Sequence, residues 1–488
     1  MNNASKKPSL VWLRDDLRIA DNPALRAAVD SGAPVAVCFV LDEESDGIRP
    51  HGGASRWWLH GSLERLGADL HERGARLILR RGPAEAVIPQ LAEEIDAGAV
   101  FWNRRYGGVE RRIDTAVKST LREGGRDATS FQGSLLYEPW TVQTGSGGPY
   151  TVYTPFWRAC LKRQHPRQPL PSPRDIDGFS GTVESDDLAD WELLPTHPDW
   201  AGGLRERWEP GEHAAMRRLR AFVAEQMDDY ADSRDVPSED ATSNLSPHLR
   251  WGEVSPFQVW HVVDESQRSG RRSEGAAKFL AELGWREFCA QLYFFWPDLA
   301  TRNFDSRFDR FPWGHPDDDE LEAWQQGRTG YPLVDAGMRE LWNTGYMHNR
   351  VRMVVASFLI KNMLVDWRVG EQWFWDTLVD ADAASNAANW QWVAGSGADA
   401  SPYFRVFNPV TQSEKFDPRG AYIREYVPEL AQAEGKEVHQ PWLASDTLLD
   451  EGVEYGERIL DLGESRARAL DAFASIKGAT RSIRPPAG

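Results

Sequence analysis

Val35-Ala-Val-Cys-Phe-Val-Leu41 is an unbroken apolar run rich in β-branched residues, and it reads as a strand covered on both faces. Shorter runs of the same kind recur at Ser9-Leu-Val-Trp-Leu-Arg14, Arg76-Leu-Ile-Leu79 and Ala99-Val-Phe-Trp102. Amphipathic helical patterns lie between and after them, at Ser55 to Arg73, Pro83 to Asp96 and Val109 to Arg122. Apolar strands alternating with helices imply a parallel sheet with helices on both faces. Residues 1–132 are therefore expected to form an α/β, Rossmann-like, doubly wound domain. The run after the first strand, Arg14-Asp-Asp-Leu-Arg-Ile-Ala-Asp-Asn-Pro23, holds no GxGxxG, so a dinucleotide fingerprint is absent.

Over residues 133–205 the composition shifts to Pro, Gly, Ser and Asp, with an apolar patch only at Tyr150 to Lys162. This is expected to be an interdomain connection over the surface. Gly145, Gly147 and Gly148 lack a preceding strand and a following Lys-Ser/Thr, so they read as a turn and not as a phosphate loop. From residue 206 to 488 strand signals nearly vanish, and the pattern is all-helical. Ser246-Pro247 and Ser255-Pro256 each place a hydroxyl before a proline, the signature of a capped helix start, and Gly252 closes the first of these helices.

The chain of 488 residues is long enough for two or three domains, and its formal charge of -18 opposes non-specific binding to nucleic acid by the whole surface. Any nucleic-acid site must be a local basic patch. Cys38, Cys160 and Cys289 are odd in number and without metal-ligand spacing, so neither a disulfide framework nor a zinc site is expected. No signal-peptide pattern and no long apolar span is present, which implies a soluble, cytoplasmic protein. Most of the 22 tryptophans read as helical core.

Four stretches carry chemistry. Tyr230-Ala-Asp-Ser-Arg234 is followed by Thr242-Ser-Asn-Leu-Ser246, and hydroxyls with free amides at a helix start can seat a phosphate, although such a cluster is more often a plain cap. In Glu282-Leu-Gly-Trp-Arg-Glu287, helical spacing puts Glu282, Trp285 and Arg286 on one face, either as an ion pair beside an indole or as a carboxylate beside an aromatic plate in a cleft. In Gly345-Tyr-Met-His-Asn-Arg-Val-Arg-Met353 the same spacing aligns Asn349, Arg352 and Met353. Asp380-Ala-Asp-Ala-Ala-Ser-Asn-Ala-Ala-Asn-Trp-Gln-Trp392 is too polar for a core and too aromatic for a solvated loop, the composition of a pocket wall. His348 has no spaced partner histidine, so it reads as structural and no metal site is expected.

Taken in order, Thr242-Ser-Asn-Leu-Ser246, Trp251-Gly-Glu253, Trp285-Arg-Glu-Phe288, Gly330-Tyr-Pro332, Met347-His-Asn-Arg350 and Phe407-Asn-Pro-Val-Thr-Gln-Ser-Glu-Lys-Phe416 resemble the DNA photolyase and cryptochrome family. The resemblance runs from Trp12-Leu-Arg-Asp-Asp-Leu-Arg18 to about Leu430 and is strongest to cyclobutane pyrimidine dimer photolyases of class I or III. It implies an all-α domain at 206–488 that binds FAD and DNA. Tyr230, Thr242, Ser243, Asn244, Leu245, Ser246, Phe279 and Arg286 are then cofactor contacts. Arg352 and Asp380 pair beside the isoalloxazine, with Asn349 and Asp382 near it and Asn386 at flavin N5. Glu282, Trp285, Asn349, Met353 and Trp392 match residues that contact the flipped-out dimer, the two indoles as its walls and Glu282 as hydrogen-bond donor to its carbonyl. Arg234, Arg350 and Gln412, with Glu282 and Trp285, match DNA-contacting positions. Trp390, Trp367 and Trp313, from inside to outside, match the chain that photoreduces the flavin. The implied activity is light-driven repair of UV-damaged DNA by electron transfer from reduced FAD, in a monomer with no obligate protein partner, found with the nucleoid.

Two relatives within the family are rivals. Plant cryptochromes usually carry Asp where Asn349 stands and have long C-terminal extensions, and (6-4) photolyases rely on a histidine pair at the Asn349-Arg350 step. A third rival, a flavin redox enzyme with an external reductant, needs a nicotinamide site that no motif provides. Glu110 matches a glutamate that contacts an antenna folate, although Val109 replaces the Asn that commonly precedes it. Methenyltetrahydrofolate is thus expected ahead of a deazaflavin, with no second chromophore as the alternative.

Overall fold

A computed structural model describes residues 6–268, 273–315, 317–399, 404–443, 455–478 and 483–486. The first part of the chain alternates β1 (Ser9–Leu13), α1 (Pro23–Asp30), β2 (Val35–Leu41), α2 (Gly53–Glu72), β3 (Leu77–Arg81), α3 (Ala84–Glu94), β4 (Ala99–Asn103), α4 (Gly108–Glu123) and β5 (Asp127–Phe131). The strands form one parallel sheet in the order β3-β2-β1-β4-β5, with Leu10 of β1 opposite Ala36 on one side and Val100 on the other. Every residue of β1 and β2 is buried, as their uninterrupted apolar runs require. Helices pack on the sheet, so the α/β architecture is as expected.

Two elements lay outside the expectation. β5, Asp-Ala-Thr-Ser-Phe, is a polar edge strand that buries only Ala128 fully, so it has no apolar run to announce it. α1 starts at Asn22-Pro23, where the Asn22 side chain accepts from Leu25 N at 3.1 Å. The connection after β5 is also more built-in than its composition suggests. Gly178 bridges to Val35, Asp186 N donates to Leu79 O at 2.8 Å, and Trp191 is buried.

Among the described residues the further α-helices are α5 (Tyr153–Leu161), α6 (Gly202–Arg207), α7 (Glu212–Glu225), α8 (Tyr230–Ser233), α9 (Ser246–Arg250), α10 (Pro256–Arg268), α11 (Glu274–Phe295), α12 (Asp318–Gln325), α13 (Pro332–Thr344), α14 (Asn349–Ser357), α15 (Trp367–Thr377), α16 (Ala383–Ala394), α17 (Pro409–Phe416), α18 (Ala421–Tyr426) and a helix at Leu462–Lys477. By compactness the chain divides into two units. The first comprises Met1–Ala201, Trp208–Asp228 and Ser243–Pro297, and the second Gly202–Arg207, Asp229–Thr242 and Asp298–Gly488. Compactness therefore groups α7 and α9 to α11 with the sheet, whereas composition alone groups them with the later helices. The second unit has its own core, built around Trp324, Tyr331, Val355, Phe358, Trp367 and Tyr422.

The two Ser-Pro starts differ. Ser255 caps α10 as a reciprocal pair with Gln258: Gln258 N donates to Ser255 Oγ at 3.0 Å, and Ser255 N donates to Gln258 Oε1 at 2.8 Å. α9 begins at Ser246 itself, so the cap position is Leu245, which is near-helical at φ -89°, ψ -6°. Gly252 does close α9, in the left-handed region at φ 64°, and a Cβ there would lie 2.2 Å from Asp15 O.

Candidate functional site

In the second unit, the residues quoted around His348 are set by the end of one helix and the start of the next. α13 stops at Gly345, which takes the left-handed conformation that favours glycine, and α14 begins four residues later, at Asn349. His348 is the cap: its Nδ1 accepts from Arg350 N at 3.2 Å, and its backbone N–H donates to Glu340 Oε2, which also receives the Tyr422 hydroxyl at 2.6 Å. Burial pushes the imidazole down to about 4, so it stays neutral and keeps Nδ1 as an acceptor. That is the structural role read from its isolation in sequence.

Arg352 and Asp380 pair in two parallel bonds, Nη1 to Oδ1 at 3.2 Å and Nη2 to Oδ2 at 2.9 Å, while Arg352 Nε donates to Met347 O at 2.6 Å. Burial alone would lower the Arg352 pKa, but the Asp380 charge outweighs it and holds the guanidinium above its ordinary value. Asp382 caps α16 by accepting from Ser385 N at 2.7 Å. Asn386 is buried, and its Nδ2 donates to both the backbone O and the Oε1 of Glu371 at 2.9 Å, which leaves the amide oxygen as the atom it can offer. No motif marks Glu371. Its signal is a carboxylate at a core position of α15, since Trp367, Gly370, Glu371 and Phe374 are the buried face of that helix.

Trp392 is half-buried, with Nε1 donating to Asp399 O at 3.2 Å. Trp390 is buried and meets Phe374 edge-on at 4.9 Å, and Trp367 is buried with Nε1 on Asn303 Oδ1 at 2.9 Å. Trp313 is only partly buried and lies 4.4 Å from Phe311. None of these three indoles stacks on another. Arg350 donates to Asp235 Oδ2 at 2.6 Å and sits 4.3 Å over the Phe416 ring, with Met353 Sδ 3.9 Å from its Nη1. Arg234 approaches the same Asp235 at 3.7 Å and lies over the ring of buried Tyr230. The structure thus gathers Arg234 and Arg350 around one carboxylate. Gln412 is half-buried on α17.

In the first unit, α11 carries Glu282 and Trp285. The Trp285 indole stacks flat on Tyr153 of α5, 3.8 Å between centroids and 9° between planes, and meets Phe288 edge-on. The Tyr153 hydroxyl is itself fixed on Ala281 O at 2.5 Å. Trp285 nevertheless remains half-buried, a rigid indole backed on one face. No motif marks Tyr153, which belongs to an apolar patch in a connecting segment. Glu282 lies 3.7 Å from Lys278, one turn earlier, and its side chain is 29% exposed. The ion pair read beside the indole is therefore with Lys278. Arg286 is spent on backbone carbonyls, Ser134 O at 2.7 Å and Leu249 O at 3.5 Å, and Phe279 packs on Phe222 at 4.6 Å. In the phosphate-seat stretch, Asn244 takes the left-handed conformation at φ 49° and Ser243 Oγ accepts from Leu245 N at 3.4 Å. Thr242 is half-buried and belongs to the second unit.

A second cluster lies at the carboxyl ends of β1 and β4, where the strand order reverses and doubly wound sheets bind ligands. Burial would raise the Asp15 carboxyl, but Arg250, 2.8 Å away, and Arg105 hold it well below the carboxylate range. His51 is pushed down to about 3, first by burial and then by Arg250. The Arg105 Nε, His51 Nδ1 and Glu110 Oε2 atoms are buried without a hydrogen-bond partner.

Comparison with known proteins matches this chain twice. The family described as DNA photolyase covers residues 9–174, and that described as FAD binding domain of DNA photolyase covers residues 279–475. The chain is 50% identical over 478 residues to a deoxyribodipyrimidine photo-lyase of Agrobacterium fabrum, covering 97% of this chain and 99% of that one. It is 37% identical to cryptochrome-1 of Arabidopsis thaliana, over 96% of this chain and 70% of that one. The crystal structure of a class III photolyase from Agrobacterium tumefaciens superposes with a TM-score of 0.93 at 48% identity, over 98% of this chain and all of that one.

Proposed function

The chain belongs to the DNA photolyase family, and from that premise we propose that it is the lyase that splits cyclobutane pyrimidine dimers in UV-damaged DNA under light. FAD, when bound, supplies the absorption of light and the electron that opens the dimer. The observation that carries the substrate reading is Trp285: a half-buried indole held flat against Tyr153, one helical turn from a carboxyl group. Such a plate suits a base pair that has lost its stacking, and base flipping by photolyases is a named example of that strategy.

Each residue then has one task. Trp285 and Trp392 give the fused pyrimidines flat apolar walls, and Asn349 and Met353 contact them. Glu282 faces the dimer carbonyl, as the group that donates a hydrogen bond where negative charge develops. Arg352 and Asp380 would hold fixed opposite charges beside the flavin ring, with Asp382 and Asn386 as further contacts; since Glu371 holds the Asn386 nitrogen, the amide oxygen is the atom it would offer toward N5. Tyr230, Thr242 to Ser246, Phe279 and Arg286 line the cofactor, Arg286 by shaping backbone since its guanidinium is already engaged. Trp390, Trp367 and Trp313 relay electrons inward, and Arg234, Arg350 and Gln412 meet the phosphate backbone. Functionally, 1–132 hosts the antenna, 133–205 connects, and 206–488 holds flavin and DNA, in a monomer that works at the nucleoid. The antenna is methenyltetrahydrofolate, held at Glu110; the unpartnered buried atoms of Arg105, His51 and Glu110 are donors and an acceptor that fit a polar fused-ring ligand.

The test is an absorption spectrum of the purified protein, then illumination with an oligonucleotide carrying one thymine dimer. Flavin bands and light-dependent recovery of intact thymines are expected. A flavin-loaded protein that leaves the dimer intact would overturn repair in favour of a light sensor.

A further inference from the structure

α14 continues into a π-helical turn, Phe358–Asn362, in which Lys361 is only 3% exposed. An ammonium taken out of water is costly unless it is compensated. Among the described residues no carboxylate acts on it. Its Nζ donates to the backbone carbonyl of Arg405 and lies 4.6 Å from the centroid of the Phe404 ring. One turn earlier, Ser357 Oγ accepts from Phe407 N at 3.2 Å. Phe404 is stacked on Phe473 at 4.5 Å and 8°, so the segment Phe404–Phe407 is fastened to the helical core at several points. It leads directly into α17, whose cap Asn408 accepts from Val410 N and Thr411 N, and it exposes the Arg405 side chain, as α17 exposes Lys415.

We propose that Lys361 is a positioning residue for DNA binding: its ammonium fastens Phe404–Phe407 so that Arg405 and α17 meet the phosphate backbone, and grip on damaged DNA is strongest while that ammonium keeps its proton. The proposal rests on the repair reading above. A charged donor makes a stronger hydrogen bond to a carbonyl, and a stronger contact with an aromatic face, than a neutral amine. Burial, and then the Arg405 charge, push Lys361 down to about 7. Among the described residues, Arg405 is the charged group that acts on it. Phosphates drawn to Arg405 offset that repulsion and favour the proton, so by reciprocity the proton favours DNA.

The flavin-loaded protein, in the dark and at constant ionic strength, is titrated with a fluorescent thymine-dimer duplex from about pH 6 to about pH 8.5. Affinity is expected to fall about fivefold across that range, the difference between a charge-assisted and a neutral hydrogen bond. Lys361→Met should bind weakly and without that slope. Lys361→Arg, which cannot lose its charge, should be flat and tight, and it serves if the methionine variant fails to fold. Ser357→Ala should weaken binding at every pH while keeping the slope. The same slope in Lys361→Met or in Lys361→Arg as in the parent overturns the proposal and leaves repair standing. A parent that does not prefer dimer-bearing to intact DNA overturns both.

Discussion

Trp285 shows how much one side chain can owe to a neighbour far away in sequence. Its indole is held by Tyr153, 132 positions earlier, so the plate exists only because α5 and α11 pack together. Stacking of a base on an aromatic side chain contributes about 1–3 kcal/mol. Trp285→Ala is therefore expected to weaken binding of a dimer-bearing oligonucleotide by roughly tenfold or more while flavin content stays constant, as anisotropy and absorption measure together. Tyr153→Leu, which leaves the indole in place but unbacked, should fall between parent and Trp285→Ala. Trp390 makes a separable prediction. Trp390→Phe keeps an aromatic ring against Phe374 but removes the indole; photoreduction of the oxidised flavin should be lost, with repair retained after chemical reduction by dithionite. Photoreduction at the parent rate would break the proposed relay at its first member.

Among the elements, α10 and α9 carry the same Ser-Pro signature and use it differently. Ser255 closes a capping box with Gln258, and its hydroxyl also donates to Asp21, so both partners of the cap are buried and satisfied. Ser255→Ala should destabilise the protein by about 1–2 kcal/mol, read as a lower urea midpoint at unchanged slope. At α9 the chain arrives already near-helical at Leu245, after Asn244 has taken the left-handed conformation, so the turn before the helix consumes the position a cap would occupy. A dipeptide cannot report that. It depends on the path of the chain through Asn244 and Leu245. β5 is the converse case: a strand because β4 offers it a free edge, although its own sequence, Asp127 to Phe131, carries little β signal.

For the molecule as a whole, the sharpest accessible variable is pH. Glu287 is buried with Oε2 accepting from Tyr137 N, and burial raises its carboxyl to about 7, with Arg286 opposing. Below the unfolded value near 4.5 both states are protonated and nothing is lost. As pH rises from about 4.5 to about 7 the unfolded chain gives up a proton that the folded one retains, so stability falls, on the order of 3 kcal/mol in all. Glu287→Gln keeps the acceptor and cannot ionise; its unfolding free energy should exceed the parent's by a margin that grows over that window and is constant above it. A parent profile that stays level between those pH values would contradict the assignment. Read alone, the amino-acid pattern was enough for the α/β sheet, through the apolar runs of β1 and β2, and for the family, through motifs such as Met347-His-Asn-Arg350 in their order along the chain. Periodicity and motif order are local properties, and local properties survive in one dimension. Only tertiary structure decided that Tyr153 backs Trp285, that Glu371 holds the nitrogen of Asn386, that Arg286 is spent on Ser134 and Leu249, and that Lys361 lies buried against Arg405. Each of those contacts joins residues that neither period nor spacing relates, and their energy depends on burial, which a sequence position does not specify.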